Sequence, residues 1–496
     1  MSDARRRAPL WVGGGLLFLA LATANAAGYR YGTSDQAFYV PAIVRAANPG
    51  AFPRDAALID TQRQFMVIED LLGALVRSSG ISLEVLSLAG YLLSIAVIWA
   101  AALLIGNRLY RSWLATAALA AVLTLRHQIS RTSANSFEPY FHPRMLAFGV
   151  GMLAVAGLLR GRSVLAVTLV ALSALMHVTT GLWFAVLIGV ALMVVDARLR
   201  RAGLVLVPLA AVIGAWAVVS GPLQGSLVTM NDRWLEAVAS KDTLFATDWP
   251  LWAWAANLVL LVLLWWGIRV RAQRGQAAPA DLGLAWGATA LVALFILTLP
   301  AVAAHLAIVV QLQVSRVFWI VDFVAALYAV GALVDLPQTK RRLAVAMASA
   351  LMAVSAIRGG YVMFIEHPER PLFAVRIADS PWEDAMRWLG RQPMTVHVLA
   401  DPGHAWKFGA SVRVSPGRDV FLEEVKDAAF AMYSRDIAQR VVERTQVLGD
   451  FAALTPSHAR ELADRYDLDY LVSEADLALP VAYRNAQFRI YDLRAR

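Results

Sequence analysis

The sequence predicts a polytopic α-helical membrane protein of about 11 transmembrane helices, followed by a small C-terminal α/β domain. Three observations carry that expectation. Of 496 residues, 59% are hydrophobic and only 16% are charged, whereas a soluble globular chain carries roughly 25% charged residues. Apolar runs of about 20 residues, some shorter, recur along most of the chain. Short basic clusters fall between them in alternate connections.

The chain opens MSDARRR and continues with an apolar stretch from residue 10 to 28. A basic start, an apolar core and the small-residue tail ANA fit a signal peptide or an uncleaved first helix. The many runs that follow favour the helix. They lie near 82–105, 112–126, 144–159, 163–180, 182–195, 203–220, 250–268, 282–303, 315–334 and 343–363.

With Arg5, Arg6 and Arg7 inside, the following inside connections hold Arg108 and Arg111, then Arg160 and Arg162, then Arg198, Arg200 and Arg201. Arg269, Arg271 and Arg274 come next, and Lys340, Arg341 and Arg342 complete the set. Every cluster lies on one side, which the positive-inside rule makes cytoplasmic. One missed span would reverse all later clusters, so the agreement supports the count. The expected setting is a bacterial inner membrane, with the N-terminus cytoplasmic and the C-terminal domain periplasmic. The expected division is a membrane domain over 1–365, including a first outer loop at 29–81, and a soluble domain over 366–496.

The net charge of +9 is thus explained by topology and calls for no nucleic acid. The chain has no cysteine, which excludes a disulfide framework, zinc–thiolate chemistry and a cysteine nucleophile. No Walker sequence, dinucleotide glycine signature or HExxH zinc motif is present. The longer polar connections, 29–81, 127–143, 221–249 and the tail from 364, all fall outside. Elaborate loops on one face place the work on that face.

Within the first loop, Phe65, Ile68, Leu72 and Leu75 recur at helical spacing among Arg63, Glu69, Asp70 and Arg77. This predicts an amphipathic helix over 61–78, lying in the membrane interface or packed on the bundle. A second short helix is expected from Ser34 through Phe38 to Ala47, capped by Ser34 or Thr33 and kinked or ended by Pro41. In the tail, Ser380-Pro-Trp-Glu383 forms a capping box opening a helix through Trp388. Strands are expected at 395–400, 469–473 and 487–493, and helices at 420–444 and 456–466.

Several residues carry candidate chemistry. Asp35 follows the first span at the membrane boundary, among Tyr29, Tyr31, Phe38, Tyr39, Arg30, Arg45 and Arg54. It is a solvated helix cap or an ionised general base in a lined pocket. Asp55 is a second carboxylate in the same loop. Glu138, His142 and Arg144 cluster where the chain re-enters the bilayer; an arginine there suits phosphate or anchors the interface. His177, in LMHVTTGLW, is a ligand or a neutral side chain bonded to a neighbouring threonine or carbonyl. Arg316 stands on the outer side, against the charge bias, near Gln311 and Gln313. Arg233, Lys241, Asp232 and Asp242 read as ordinary surface charges.

SDQAFYVPAIVRAANPGAFPRD (34–55), HPRMLAFGVGMLAVAGLLRGR (142–162), ALMHVTTGLW (174–183) and the soluble ending YDLDYLVSEADLALPVAYRNAQFRIYDL (466–493) carry a resemblance. The architecture they outline resembles the GT-C superfamily of integral membrane glycosyltransferases. The resemblance implies transfer of a sugar from a polyprenyl-phosphate or polyprenyl-diphosphate carrier to a lipid, glycan or protein acceptor on the outer face. Asp35 matches the first-loop acid that activates the acceptor hydroxyl, and Asp55 is a possible second. Tyr39, Arg54, Glu138, His142, Arg144, His177 and Arg316 would line the substrate site. The first loop lacks the D-x-D of metal-dependent members, so a divalent metal is possible but not expected, and no other cofactor is implied. The rival expectation is a non-catalytic binder or transporter of a lipid-linked glycan. The scarcity of charge within the spans, where Asp322 is the main exception, counts against a transport path.

Overall fold

The computed structural model describes residues 2–495 apart from 64, 65, 222 and 242. In chain order the first helices are α1 (Ser2–Asn25), α2 (Gln36–Ala47), α3 (Ala56–Arg63), α4 (Ile68–Ser79), α5 (Leu83–Leu109), α6 (Trp113–Thr124) and α7 (Pro143–Leu159). Then follow α8 (Ser163–Met176), α9 (Val178–Val195), α10 (Ala197–Val219), α11 (Asp232–Val238), α12 (Leu251–Gln273) and α13 (Pro279–Ala303). The last are α14 (Ala307–Leu312), α15 (Val317–Val334), α16 (Arg341–Tyr361), α17 (Pro381–Gly390), α18 (His404–Phe408), α19 (Glu424–Ala431), α20 (Arg435–Leu448) and α21 (Pro456–Tyr466). The contacts gather these into two compact units. A helical unit comprises Met1–Tyr29, Ala89–Thr229 and Asp242–Phe373, and a mixed unit comprises Arg30–Leu88, Met230–Lys241 and Ala374–Arg496. The sequence reading grouped the first loop with the membrane domain, but its contacts group it with the tail.

The helical unit is that of a multi-pass membrane protein. Among the described residues, 7 helical segments are long and apolar enough to cross a membrane. They are Leu83–Leu109, Val178–Val195, Ala197–Val219, Leu251–Gln273, Pro279–Ala303, Ala307–Val334 and Gln338–Glu366. The remaining expected runs form shorter apolar helices: Trp11–Asn25, Trp113–Thr124, Pro143–Leu159 and Ser163–Met176. Small residues bring helices close, as membrane packing requires. A Cβ on Gly151 of α7 would lie 2.2 Å from the Phe184 ring of α9, so only glycine fits.

At one end of this unit, arginines satisfy the orphan carbonyls of neighbouring helix C-termini. Arg108 Nε donates to Leu159 O at 2.9 Å, Arg271 Nη1 to Leu109 O at 2.8 Å and Arg274 Nη2 to Ala332 O at 2.7 Å. Elsewhere, the last turn of α1 is bonded into the bundle. Arg358 Nη1 donates to Asn25 O at 2.7 Å, and Tyr91 Oη donates to Thr23 at 3.0 Å.

The mixed unit is built on a five-stranded sheet ordered Asp419–Val420, His397–Leu399, Tyr470–Ser473, Arg489–Asp492, Val481–Arg484. The first three strands run parallel, and the last two pair antiparallel. The outer strand Val481–Arg484 escaped the sequence reading because it is largely exposed and has no apolar alternation. Helix α17 begins as its sequence dictates. Ser380 Oγ accepts from Glu383 N at 3.1 Å, with Pro381 in the first turn, a cap that stabilises by about 1 kcal/mol. Trp382, Met386 and Leu389 of α17 then pack on Val398, Val472 and Ile490 of the sheet. The single helix expected at 420–444 is two, because Ser434 ends the first turn sequence and caps α20.

The first loop also divides differently from expectation. The helix expected over 61–78 is α3 and α4, and Phe65 lies outside the described residues. Ile68 and Leu72 join Tyr39, Met66 and Phe38 in a small core between α2 and α4. The opposite stripe, Val67, Leu71 and Leu75, is exposed. Helix α4 has Glu69 and Asp70 in its first turn, Arg77 in its last and Gly80 with φ +68° beyond it, each favourable to a helix of this length. Gly73 lets α4 approach α2: a Cβ there would lie 2.6 Å from that of Ala46.

Candidate functional site

In the mixed unit, the chain enters α2 through a strained turn. Ser34 has φ +51°, a left-handed conformation that costs a non-glycine residue roughly 1–2 kcal/mol. Asp35 follows at the N-cap position, but its side chain caps nothing. The carboxylate instead meets Lys426 of α19, with Nζ 2.9 Å from Oδ1. Lys426 is buried, and its ammonium lies 4.7 Å from the centre of the Phe38 ring. Phe38 in turn meets Phe430 edge-on at 4.7 Å. Cation–π contact and an ion pair together fix the ammonium where it faces Asp35. The Asp35 side chain remains 30% exposed.

Lys241 also bears on this place. Its pKa is pushed down to about 8, first by burial and then by the charge of Lys426, against the opposing pull of Asp35. The expectation that Lys241 is an ordinary surface charge is corrected by this burial. Asp242 lies outside the described residues.

Arg45 and Arg54, expected beside Asp35, have other partners. Arg45 pairs with Asp60 at 3.0 Å. Arg54 donates to Thr395 O at 2.6 Å and pairs with Asp467, which spends its donors on the tail rather than on a ligand. Tyr39 is buried in the core between α2 and α4. Gln36 folds back, and its Oε1 accepts from Gly32 N.

Asp55, expected as a second catalytic carboxylate, is wholly buried. Arg413 Nε donates to its Oδ2 at 2.8 Å, Val420 N donates to the same oxygen at 3.1 Å, and Arg440 pairs with Oδ1. Burial raises its pKa, but Arg413 and Arg440 outweigh burial and hold it well below the usual carboxylate range. A carboxylate so stabilised in its charged form, and closed to solvent, accepts no substrate proton. Its role is structural. Arg413 continues the network to Asp427 and lies 3.7 Å from Glu423.

The helical unit gathers the other expected residues. The connection before α7 folds into a two-residue hairpin, Gln128–Ile129 with Ala134–Asn135. Beyond it Glu138 Oε1 accepts from Arg144 Nη2 at 3.0 Å and from Asn135 Nδ2 at 3.1 Å, with Arg126 at 3.6 Å. The Arg144 guanidinium lies 5.7 Å from the Trp319 ring centre, and Trp319 stacks on Phe148 at 4.1 Å. His142 caps α7, its Nδ1 accepting from Arg144 N at 3.1 Å. Its ring centre is 6.3 Å from that of His177, and His142, Arg144 and Arg316 all act electrostatically on His177. His177 begins α9, with Nδ1 2.9 Å from Thr180 Oγ1. Glu138, His142, Arg144, His177 and Arg316 therefore form one polar cluster in an apolar unit. A guanidinium oriented by a buried carboxylate presents paired donors suited to phosphate.

Sequence reasoning missed Lys426 and His127. His127 Nδ1 lies 2.7 Å from Asp322, which gives the isolated acid of α15 a partner. Short-range pattern holds no signal for either pairing. Among the described residues, no group of three or more His, Asp or Glu side chains is gathered as a metal ion requires. No known protein-family model matches this chain, and no curated protein matches it.

Proposed function

We propose that the chain is an integral membrane glycosyltransferase of GT-C type, with about 11 crossings in which the shorter apolar helices take part. It takes a sugar from a polyprenyl-phosphate or polyprenyl-diphosphate donor and moves it to a hydroxyl of a lipid, glycan or protein on the outer face. The observation that carries this reading is the carboxylate of Asp35. It follows the first apolar helix, declines the cap open to it, and is held partly exposed by a buried lysine.

In this reading the acceptor oxygen bonds to the anomeric carbon while the bond from that carbon to the carrier phosphate breaks. The electron pair leaves on the phosphate, and the hydroxyl proton passes to Asp35. An ammonium neighbour weakens a carboxylate as a base, which suits proton removal late in bond formation. Lys426 is a positioning residue that fixes the carboxylate. Within the helical unit, Glu138 orients Arg144, a guanidinium of the kind that pairs with phosphate. Attack opposite the leaving group inverts the anomeric configuration.

The test is direct. Membranes containing the protein are given synthetic polyprenyl-phosphate sugars and an envelope extract as acceptor. The reading expects transfer of label with release of polyprenyl phosphate. Tight binding of the lipid-linked sugar without any transfer across a panel of sugars and carriers would establish the non-catalytic binder instead.

A further inference from the structure

We propose that the arginine-capped end of the helical unit holds an anionic phospholipid by its headgroup. The α5–α6 connection, the end of α12, the end of α15 and the start of α16 enclose a hollow of about 930 Å³. That is the size of a small-molecule site. Arg111, Arg274, Arg341 and Asp335 line its polar part, while Leu114 and Val345 line its apolar part.

The charges there are not balanced among themselves. Asp335 is buried, and its carboxylate accepts from the backbone N–H of Arg111 at 3.2 Å and of Ser112 at 3.1 Å. Arg274 is spent on the carbonyls of Gly331, Ala332 and Asp335. Arg111 and Arg341 are exposed, and among the described residues their guanidinium groups bond to no protein acceptor. Two arginines thus face an open hollow with no carboxylate left to meet them. A second hollow of about 1010 Å³ shares Gln338, Arg341 and Val345 and adds Lys340 and Arg342. The basic lining continues around the start of α16.

The positive-inside bias accounts for basic residues at this end, but not for their placement around a cavity. The apolar surroundings identify the ligand's other half. Val345, which lines both hollows, and Leu343, which lines the second, are exposed large apolar side chains on α16. A free phosphate has no use for them. A glycerophospholipid places its phosphate between the arginines and its acyl chains against that surface, a known use of basic pockets among membrane helices. This site is independent of the proposed transfer reaction.

The experiment uses the full chain in mild detergent. Native mass spectrometry follows retention of phosphatidylglycerol against phosphatidylcholine of the same acyl composition. Wild type is expected to retain phosphatidylglycerol selectively. Each exposed arginine removed weakens retention roughly fivefold, so Arg111→Gln with Arg341→Gln weakens it about 25-fold. Arg162→Gln, an exposed arginine of another basic cluster that lines neither hollow, leaves retention unchanged. Melting temperatures of all variants confirm folding. Equal retention of the two lipids overturns the proposal, and so does an equal loss in Arg162→Gln. Displacement of phosphatidylglycerol by glycerol phosphate at equal concentration would assign the hollow to a soluble phosphate and overturn the lipid assignment.

Discussion

The two units bury charge in opposite ways. The helical unit sends several arginines to helix ends, where backbone carbonyls take them, and pairs Arg144 with buried Glu138 and Arg271 with buried Asp281. The mixed unit builds part of its interior from charge. There Arg413 is wholly enclosed by Asp55, Asp427 and Glu423, and Arg440 reaches Asp55 from the other side. In an apolar bundle, packing and backbone bonds hold the helices, and a buried ion pair is an expense kept for orientation. In the mixed unit, the network joins residue 55 of the first loop to residues 413–440 of the tail, so folding of one depends on the other.

The largest effect follows from breaking the charged interior. Arg413→Met leaves buried Asp427 without its cation and Asp55 with Arg440 alone, at a cost of about 3–5 kcal/mol. Calorimetry and limited proteolysis should show early unfolding of the tail and first loop, while the helical content of the other unit persists. A variant that melts as one transition at the wild-type temperature would deny the network this role.

The helical unit offers the sharper comparison. Glu138→Gln isolates Arg144 in apolar surroundings and is expected to destabilise by about 3 kcal/mol, whereas Glu138→Leu combined with Arg144→Met is close to neutral. Melting curves of the single and double variants check this: the single variant should melt early and the double variant like wild type.

A smaller effect is expected where α4 meets the last turn of α2. Gly73→Val forces α4 away from Ala46 and costs about 1–3 kcal/mol by overpacking, read as a lowered melting temperature of the mixed unit.

The smallest is a pH effect. Glu69 is buried, and burial raises its pKa from 4.5 to about 7. Because the folded value exceeds the unfolded one, the stability it confers is complete below pH 4.5 and is lost as pH rises through about 7. Glu69→Gln should flatten the melting temperature over that window and raise it slightly at pH 8.

Much of the helical unit was legible because apolar length and basic alternation are local signals. Each expected apolar run lies on a helix, most within a few residues of the anticipated bounds, while α1 and α10 begin earlier, at Ser2 and Ala197. The Ser380 cap and the apolar runs at His397–Leu399 and Tyr470–Ser473 were legible for the same reason, although Glu383 does not complete the expected capping box and accepts from Ser415 instead. The candidate site was legible only in part. Position along the chain drew attention to Asp35, but its partner Lys426 stands 391 residues away. Asp55 looked like a second acid because nothing nearby in sequence reveals Arg413, 358 residues on. Charge pairs between distant segments leave no periodic trace, so a buried structural carboxylate and a catalytic one read alike in a sequence.

Replacing the carboxylate of Asp35 by an amide tests its role as the base. Membranes containing Asp35→Asn are compared with wild type for sugar transfer from a polyprenyl-linked donor, at equal expression and equal melting temperature. The amide keeps the size of the side chain and removes its capacity to take a proton. Transfer is expected to fall roughly 100-fold or more, with donor binding retained. Transfer at the wild-type rate would contradict that role.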